Sequence, residues 1–242
     1  MDTTPPKPAD AKADVSVILI VRNGAATIGE ALSSVTRSKT QPVEILVIDG
    51  HSSDATAEIA RGYPLVRVVT QTDRGIANAY NQGIAAARAD IVAFISHDDI
   101  WTDGKLDKQL GFMTAHPDLM FSVGMVEHFL DAPAPPPGFR TELLERRHPG
   151  FIMETLMARK ATFRHVGLFD PKFSVGEDTD WFARARDAGA VSAVLLDTLV
   201  RKRVHSTNSS LNEGNINGLL LRALRGSIAR KRAQGAAPDT QS

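Results

Sequence analysis

The stretch IVAFISHDDIW at residues 91–101 decides the fold. Its apolar run without polar alternation predicts a strand that is buried on both faces, as in a parallel sheet. Asp98 and Asp99 follow at the carboxyl end of this strand, which is the edge where open α/β sheets bind ligands. Because two adjacent carboxylates repel each other, the pattern indicates a cation beside them. Mg²⁺ and Mn²⁺ suit carboxylate oxygens and also hold substrate phosphates.

The same aspartates have a second interpretation. Asp99 or Asp103 is placed to cap a helix predicted over residues 104–115. Acidic residues favour helix N-termini because they satisfy free backbone N–H groups and face the positive end of the helix dipole. This stretch alone does not decide between a cap and a ligand site, so the choice depends on the rest of the chain.

Strand and helix patterns alternate on the N-terminal side of this stretch. The predicted strands and the helices between them cover residues 15–21, 25–37, 43–49, 53–61, 65–69, 75–88 and 91–95. This βαβαβαβ order predicts an α/β fold with a single domain, in which helices cover both faces of a mostly parallel central sheet.

The pattern loosens after the predicted helix at 104–115. Strands are predicted over residues 121–126 and 191–200, with a helix over 177–188. The sequence APAPPPG at 132–138 is incompatible with regular structure and predicts a stiff loop. Residues 139–176 show no clear periodicity, so we expect them to form mainly loops.

Composition narrows the class of protein. The formal net charge is +0 at pH 7, so no overall field attracts nucleic acid. The chain has no cysteine, which excludes disulfides, thiolate zinc sites and a cysteine nucleophile. We find neither the apolar core of a signal peptide nor a run long enough to span a membrane, so a cytoplasmic location is expected.

We predict three segments. Residues 1–14 form a disordered tail, residues 15–212 the folded domain, and residues 213–242 a basic helix followed by a disordered tail. The helix is amphipathic over 216–232. The favoured interpretation is a solvated helix that packs on the domain, and the alternative is peripheral contact with the inner face of the membrane.

Two aspartates follow the second and third predicted strands. Asp49 ends the second strand, where its carboxylate can accept a hydrogen bond from a nucleotide base or cap a turn with Gly50. Asp73 lies in a polar turn with Arg74 and Gly75, before a helix whose N-terminus can face a phosphate. Both residues are candidates for nucleotide binding, and turn formation is the alternative.

A second acidic cluster and a late histidine complete the candidates. Asp178 lies in GEDTDW at residues 176–181, where it can act as a general base or stabilise the start of a helix. His205 follows the last predicted strand and can be a ligand or an ordinary packed residue. The basic residues 201–203 suit a flexible segment that folds over a diphosphate, and a run of charges that is simply solvated is the alternative.

These pieces together resemble a known family. The chain contains, in order, VSVILIVRNGAATI, EILVIDGHSSDAT, DRGIANAYNQGIAAARADIVAFISHDD and GEDTDW. This order resembles a family 2-type glycosyltransferase of the GT-A fold, from residue 15 to about residue 212. The block DRGIANAYNQG is similar to the D-x-G-I-x-D-A-x-N-x-G block of many bacterial polysaccharide-type transferases.

The resemblance implies roles for the acidic residues and the histidine. Asp49, Asp73 and Asp98 are expected to bind the donor nucleotide. Asp99 is expected to be the direct metal ligand, helped by the late histidine His205, with Mn²⁺ or Mg²⁺ as the cofactor. Asp178 matches the catalytic base of the family's ED motif.

The resemblance also implies an activity: inverting, metal-dependent transfer of a sugar from a nucleotide-diphospho-sugar to a hydroxyl acceptor in glycan biosynthesis. UDP is the expected nucleotide, and the acceptor is a saccharide, a lipid-linked molecule or another hydroxyl compound. We expect acceptor specificity to depend on residues 127–176. Nucleic acid is not an expected partner.

The chain departs from the family pattern at residue 96, where Ser96 replaces the first acidic residue of the DXD-like motif. This loss gives weight to an alternative, a catalytically silent domain of the same fold that binds a partner or a carbohydrate. A nucleotidyltransferase is a third hypothesis, although the Gly-rich basic loop that it needs is poorly represented. A dinucleotide dehydrogenase is disfavoured, because no G-x-G-x-x-G follows the first strand. No Q-x-x-R-W motif is present, which argues against a processive synthase.

Overall fold

The strands of residues 13–206 join one sheet in the order β3-β2-β1-β4-β8-β6-β9-β5, with β7 beside β6. The computed structural model describes residues 13–206, 208, 221, 224–228, 230 and 232. The strands are β1 (Ala13–Val21), β2 (Pro42–Asp49), β3 (Val66–Thr70), β4 (Ile91–Ser96), β5 (Ile100–Trp101), β6 (Phe121–Leu130), β7 (His148–Pro149), β8 (Met157–Arg159) and β9 (Ser192–Val204). The α-helices in this range are α1 (Ile28–Thr36), α2 (Thr56–Arg61), α3 (Ile76–Ala86), α4 (Lys105–Ala115), α5 (Lys160–Val166) and α6 (Glu177–Asp187).

The N-terminal half, residues 13–115, contains a parallel sheet that is buried on both faces. Strand β1 pairs in parallel with β2 and β4, and β2 pairs in parallel with β3. Alternate residues of β1 enter two different apolar clusters: Val17 packs with α1, whereas Ile18 packs with α3. Helices therefore cover both faces, and the predicted α/β fold with a mostly parallel sheet is confirmed.

The parallel strands end together at one edge of the sheet. In the register of the sheet, Val21 lies beside Asp49 and Ile20 lies beside Ser96. The segments that follow β1, β2 and β4 therefore emerge side by side. This alignment brings the sequence-predicted polar residues of these segments to a common edge.

The C-terminal half, residues 121–206, is built differently. Strand β6 pairs in parallel with β9, and the short strand β8 is antiparallel to both β4 and β6. Short 3₁₀ helices at Thr141–Leu144 and Met153–Thr155 interrupt the loops. Strand β8 and helix α5 lie in the segment for which we expected mainly loops.

Strand β9 is longer than predicted. We expected it to end at residue 200, with residues 201–203 in a flexible segment, but it continues to Val204. Its extension pairs with the polar end of β6, where Glu127 lies beside Arg201 and forms an ion pair at 3.1 Å. The charge of residues 201–203 alone would predict that they are solvated. Instead, they pair with β6, and Arg203 is buried.

Predicted helix caps are also replaced by longer-range contacts. Helix α4 follows Gly104 without a side-chain cap, so neither Asp99 nor Asp103 caps it. Thr27 and Glu30 have the spacing of a capping box at the start of α1, but Thr27 makes no side-chain cap there, and its hydroxyl lies 3.0 Å from Nδ1 of His97. Polar residues with the spacing of local caps instead connect distant segments.

The ends of the chain are described in part. Strand β1 includes Ala13 and Asp14, which we had placed in the predicted tail 1–14, and residues 1–12 lie outside the described residues. In the predicted basic helix, the described residues are helical, and Ser227 and Arg230 bond Asp187 of α6. Among the described residues, no helix is long and apolar enough to cross a membrane.

Candidate active site

A cleft of about 1180 Å³ opens at the carboxyl edge of the parallel strands. Its lining includes polar residues from both halves of the chain: Arg22, Asn23, Asp73, Arg74, Ser96, His97, Asp98, Glu154, Glu177, Asp178, Lys202, His205 and Asn208. Four of the six predicted site residues, Asp73, Asp98, Asp178 and His205, therefore lie on one surface. Asp49 and Asp99 do not line it.

Asp98 and His205 form a carboxylate–imidazole pair at the rim of the cleft. Nε2 of His205 lies 2.9 Å from Oδ2 of Asp98, and Asn208 accepts a hydrogen bond from the His205 backbone N–H at 2.7 Å. Burial opposes ionisation of Asp98, but the hydrogen bond to His205 and the nearby charges of His97 and Lys202 lower its pKa below the ordinary value. The side chain is therefore an anion over the physiological pH range.

Asp99 is 1% exposed and does not line the cleft. Its Oδ1 accepts the backbone N–H of Arg203 at 2.8 Å, and its Oδ2 accepts a hydrogen bond from Nζ of Lys202 at 2.9 Å. Both carboxylate oxygens are thus bonded to β9. The two adjacent aspartates have different surroundings: Asp98 faces the cleft, whereas Asp99 anchors the strand that carries Lys202 and Arg203.

Glu154 is a cleft residue that we did not predict, and it lies beside Lys202, which we expected only as part of the basic run 201–203. Nζ of Lys202 lies 3.3 Å from Oε1 of Glu154, and the hydroxyl of Ser96 donates to the same Oε1 at 2.5 Å. Burial disfavours the charged form of Lys202, but Asp99, Glu154 and Asp98 raise its pKa above the ordinary value. Lys202 is therefore a permanent cation in the wall of the cleft.

Asp178 lies in the first turn of α6, which begins after Gly176 with φ 79°. Its Oδ1 accepts the backbone N–H of Thr179 at 2.6 Å. Burial, followed by the charge of Glu154, raises the pKa of Asp178 to about 6. A carboxylate with a raised pKa is a stronger base than a solvated one, and general bases are commonly tuned in this way.

Asp49 forms a local turn at the end of β2. It is 8% exposed, and its two carboxylate oxygens lie 3.2 and 3.3 Å from the backbone nitrogen of Ser52. Gly50 and His51 line the cleft in its place. The alternative of a turn-forming aspartate describes this geometry, and contact between Asp49 and a nucleotide base stays a prediction.

Asp73 is exposed at the mouth of the cleft, in the turn before α3. Nε2 of Gln71 donates to the backbone carbonyl oxygens of Asp73 and Gly75 and so holds this turn together. Farther along α3, Asn81 exchanges two hydrogen bonds with the backbone of Phe169, at 2.9 and 3.0 Å. This second contact ties α3 to the loop that leads to α6.

Comparison with known proteins identifies the family. The sequence profile of "Glycosyl transferase family 2" matches residues 16–169. The chain belongs to this family. It is 28% identical over 218 residues to an uncharacterized glycosyltransferase of Rickettsia typhi, an alignment that covers 82% of this chain and 67% of the relative. It is 29% identical over 205 residues to the succinoglycan biosynthesis protein ExoU of Rhizobium meliloti, which covers 75% of this chain and 59% of the relative.

Solved structures of GT-A glycosyltransferases share the fold of this family 2 member. The structure of Staphylococcus aureus TarS in complex with UDP-GlcNAc aligns with a TM-score of 0.71 and 16% identity, over 89% of this chain and 66% of TarS. Glucosyl-3-phosphoglycerate synthase from Mycobacterium tuberculosis, solved with Mn²⁺, UDP-glucose and phosphoglyceric acid, aligns with a TM-score of 0.64 and 20% identity, over 93% and 81% of the two chains. At these identities the likeness establishes the fold.

Proposed function

We propose that the protein transfers a sugar from a nucleotide-diphospho-sugar to a hydroxyl acceptor with inversion at the anomeric carbon. One observation carries the proposal: Asp178, with its raised pKa, lines the same cleft as the Asp98–His205 pair. Membership of glycosyl transferase family 2 supports sugar transfer as the reaction that takes place in this cleft. UDP is the proposed nucleotide, because both TarS and the synthase are solved with UDP-sugars.

In this proposal the donor nucleotide lies along the N-terminal half. Asp73 and the backbone before α3 border the mouth of the cleft, and Arg22 and Arg74 add positive charge there. The N-terminus of α3 offers free N–H groups to a phosphate. We propose that Asp49 supports nucleotide binding by shaping the turn that contains Gly50 and His51.

The residues at the rim fit a divalent metal ion. A carboxylate and an imidazole at 2.9 Å, both on the cleft, provide two ligands for Mn²⁺ or Mg²⁺, and donor phosphates provide others. Among the described residues, no group of three His, Cys, Asp or Glu side chains is placed to hold a metal ion, and in this proposal the donor phosphates supply the further ligands. When bound, such an ion neutralises charge on a departing diphosphate. Because Asp99 is fully bonded to β9, we assign the ligands as Asp98 and His205.

Asp178 is proposed to act as the base. It accepts the proton of the acceptor hydroxyl while the hydroxyl oxygen attacks the anomeric carbon and the bond to the diphosphate breaks. A single base suffices for inversion, because no covalent nucleophile is needed. Lys202, held between Asp99 and Glu154, contributes a fixed positive charge to the region of the leaving group.

Peripheral contact of the C-terminal helix with the membrane, the alternative to a helix that packs on the domain, is kept as part of the proposal, together with a cytoplasmic location. Leu221, Leu224 and Ile228 are 52%, 55% and 43% exposed, and Arg225 lies beside them. Apolar and basic residues on one helix are typical of interfacial helices. Flotation with anionic and neutral vesicles would test it, and equal absence of binding to both would contradict it.

The first experiment identifies the donor. The protein is incubated with UDP-, GDP- and dTDP-sugars in the presence of Mn²⁺, Mg²⁺ or EDTA, and release of the nucleoside diphosphate is measured beside Asp98→Asn. We expect release from one donor that depends on metal and is lost in the variant. Binding of a donor without release in the presence of candidate acceptors would favour a silent binding domain, and absence of both would contradict the proposal.

A further inference from the structure

Glu154 is a buried carboxylate with one oxygen left for a ligand. The residue is 7% exposed, yet it lines the cleft. Its contacts with Ser96 and Lys202 both use Oε1. In the described part of the chain, no hydrogen bond reaches Oε2. Oε2 is reached from the cleft, so a ligand in the cleft can donate a hydrogen bond to it.

The position of Glu154 relates it to both ends of the reaction. Its carboxylate accepts a hydrogen bond from Ser96, which lies two residues before Asp98 in the chain. This bond places Glu154 at the proposed diphosphate end of the cleft. Its charge also contributes to the raised pKa of Asp178, at the proposed base end. In a single displacement the transferred sugar lies between the leaving diphosphate and the base. Glu154 therefore borders the space that this sugar must occupy.

Ser96 gives the arrangement a further meaning. It occupies the position at which the DXD-like motif of the family has its first acidic residue. Its hydroxyl donates a hydrogen bond to the carboxylate of Glu154, which belongs to the 3₁₀ helix Met153–Thr155. The cleft thus regains a negative group at this place from a different element. The ammonium of Lys202 lies 3.3 Å from Oε1 of this carboxylate and forms an ion pair with it.

We propose that Glu154 is a specificity residue for the transferred sugar: its Oε2 accepts a hydrogen bond from a ring hydroxyl of the donor. The inference rests on the proposed function and deepens it. It also defines the class of sugar. A neutral sugar with a free hydroxyl at this place is accepted, whereas a uronic acid, whose carboxylate would approach Glu154 and Glu177, is disfavoured.

The test is a double-mutant cycle in which one change is made in the enzyme, at Glu154, and the other is the removal of one hydroxyl from the donor sugar. For the donor that the wild-type protein cleaves, kcat/KM is measured with a set of analogues that each lack one ring hydroxyl, on the wild-type protein, Glu154→Ala and Glu154→Gln. We expect Glu154→Ala to lose roughly 10- to 100-fold in kcat/KM, the range for a hydrogen bond to a charged group. One analogue should show a similar loss on the wild-type protein and little further loss on Glu154→Ala. Glu154→Gln, which keeps an acceptor oxygen, should lose less and should discriminate less against a uronic acid donor.

A matched control and two opposing outcomes make the test decisive. Glu58→Ala removes an exposed glutamate of α2, away from the cleft and from residues 127–176, and should behave as wild type. If the losses from Glu154→Ala and from every analogue simply multiply, Glu154 touches no hydroxyl and the inference fails. Thermal unfolding checks each variant, and Glu154→Gln carries the cycle if Glu154→Ala does not fold. Absence of release from any donor by the wild-type protein would instead overturn the proposed function itself.

Discussion

The N-terminal half and the C-terminal half differ in how they are held together. The N-terminal half is a parallel sheet whose strands are apolar on both faces, so hydrophobic burial organises it. The C-terminal half contributes β9, whose last residues are charged and are fixed by bonds to Asp98 and Asp99. The candidate site lies where the two meet. Its scaffold is therefore apolar and local, whereas its chemistry depends on polar contacts between residues about a hundred positions apart.

The largest expected effect is that of Asp178→Asn, which removes the proposed base from the C-terminal half. Turnover should fall by roughly 10²- to 10⁴-fold, the usual contribution of a general base. Donor affinity, which we assign mainly to the N-terminal half, should change little. Steady-state kinetics and calorimetry on the same samples separate the two quantities, with the exposed Asp118→Asn as a control. A parallel loss of donor affinity would contradict the division between the halves.

Asp99→Asn tests whether the halves are joined by charge. The substitution removes the carboxylate closest to the ammonium of Lys202, whose side chain is 25% exposed and keeps Glu154 as a second partner. The free energy of unfolding should therefore fall by about 2 kcal/mol, less than the roughly 3–5 kcal/mol for a fully buried pair. Urea denaturation measures it. Asp103→Asn, an exposed neighbour in the same turn, should be neutral. A stability equal to wild type would show that Asp99 does not anchor β9.

Asp98→Asn sharpens the contrast between the adjacent aspartates. It should weaken metal-dependent donor binding by roughly 10- to 100-fold, a range seen when metal sites lose a supporting group. Asp99→Asn, in contrast, should retain the metal dependence in samples that are folded. Titration of donor in Mn²⁺ and in EDTA distinguishes them. The assignment of the ligands would be reversed if Asp99→Asn alone lost the difference between the two conditions.

The pH dependence of turnover tests the surroundings of Asp178. The base acts only when deprotonated, and burial with the charge of Glu154 raises its pKa to about 6. Turnover should therefore fall as pH decreases through 6, by about tenfold for each further unit. Because the pKa is higher in the folded state than in the unfolded state, ionisation of Asp178 lowers the free energy of unfolding at pH values above about 6. This cost declines as the pH falls from about 6 and is absent below about 4. A rate that stays constant down to pH 5 would exclude a base with this pKa.

The smallest expected effect concerns the contact between Arg203 and Glu30. The guanidinium of Arg203 is buried, but the glutamate side chain is 53% exposed, so solvent screens the pair. Glu30→Gln should lower the free energy of unfolding by about 1 kcal/mol or less. Thermal unfolding at low and high salt measures it. A loss as large as that from Asp99→Asn would mean that the periphery joins the halves as strongly as the buried pair.

The sequence predicts one half of the molecule far better than the other. Strand β4 and the cleft position of Asp98 follow from an apolar run with a polar end, because parallel strands bring such ends to one edge. Glu154 carries no comparable signal, since it lies in a segment without periodicity. The place of Lys202 in β9 depends on Asp99, 103 positions earlier in the chain, and no local pattern contains that information.

Asp98 and Asp99 also show that the local sequence does not reveal which partners a polar side chain will have. Their adjacency indicates a site, but which of them faces the cleft depends on β9, which occupies both oxygens of Asp99. Likewise, Thr27 and Glu30 have the spacing of a local cap, yet they contact His97 and Arg203. Sequence patterns identify which residues are polar and where strands end. The partners of those residues are decided by tertiary structure.

The bonding of Arg203 has a consequence for recombination. Its backbone N–H bonds Asp99, its Nε donates to the carbonyl oxygen of Asp98, and its guanidinium forms ion pairs with Glu30 and Asp131. A chimera that joins this N-terminal half to the C-terminal half of a relative takes its residue at position 203 from that relative. When C-terminal halves are exchanged between relatives, the residues that contact position 203 must therefore come from the same parent as the residue at that position. A crossover that keeps Glu30, Asp99 and Arg203 from one parent preserves the junction, whereas one that separates them leaves buried charges unmatched.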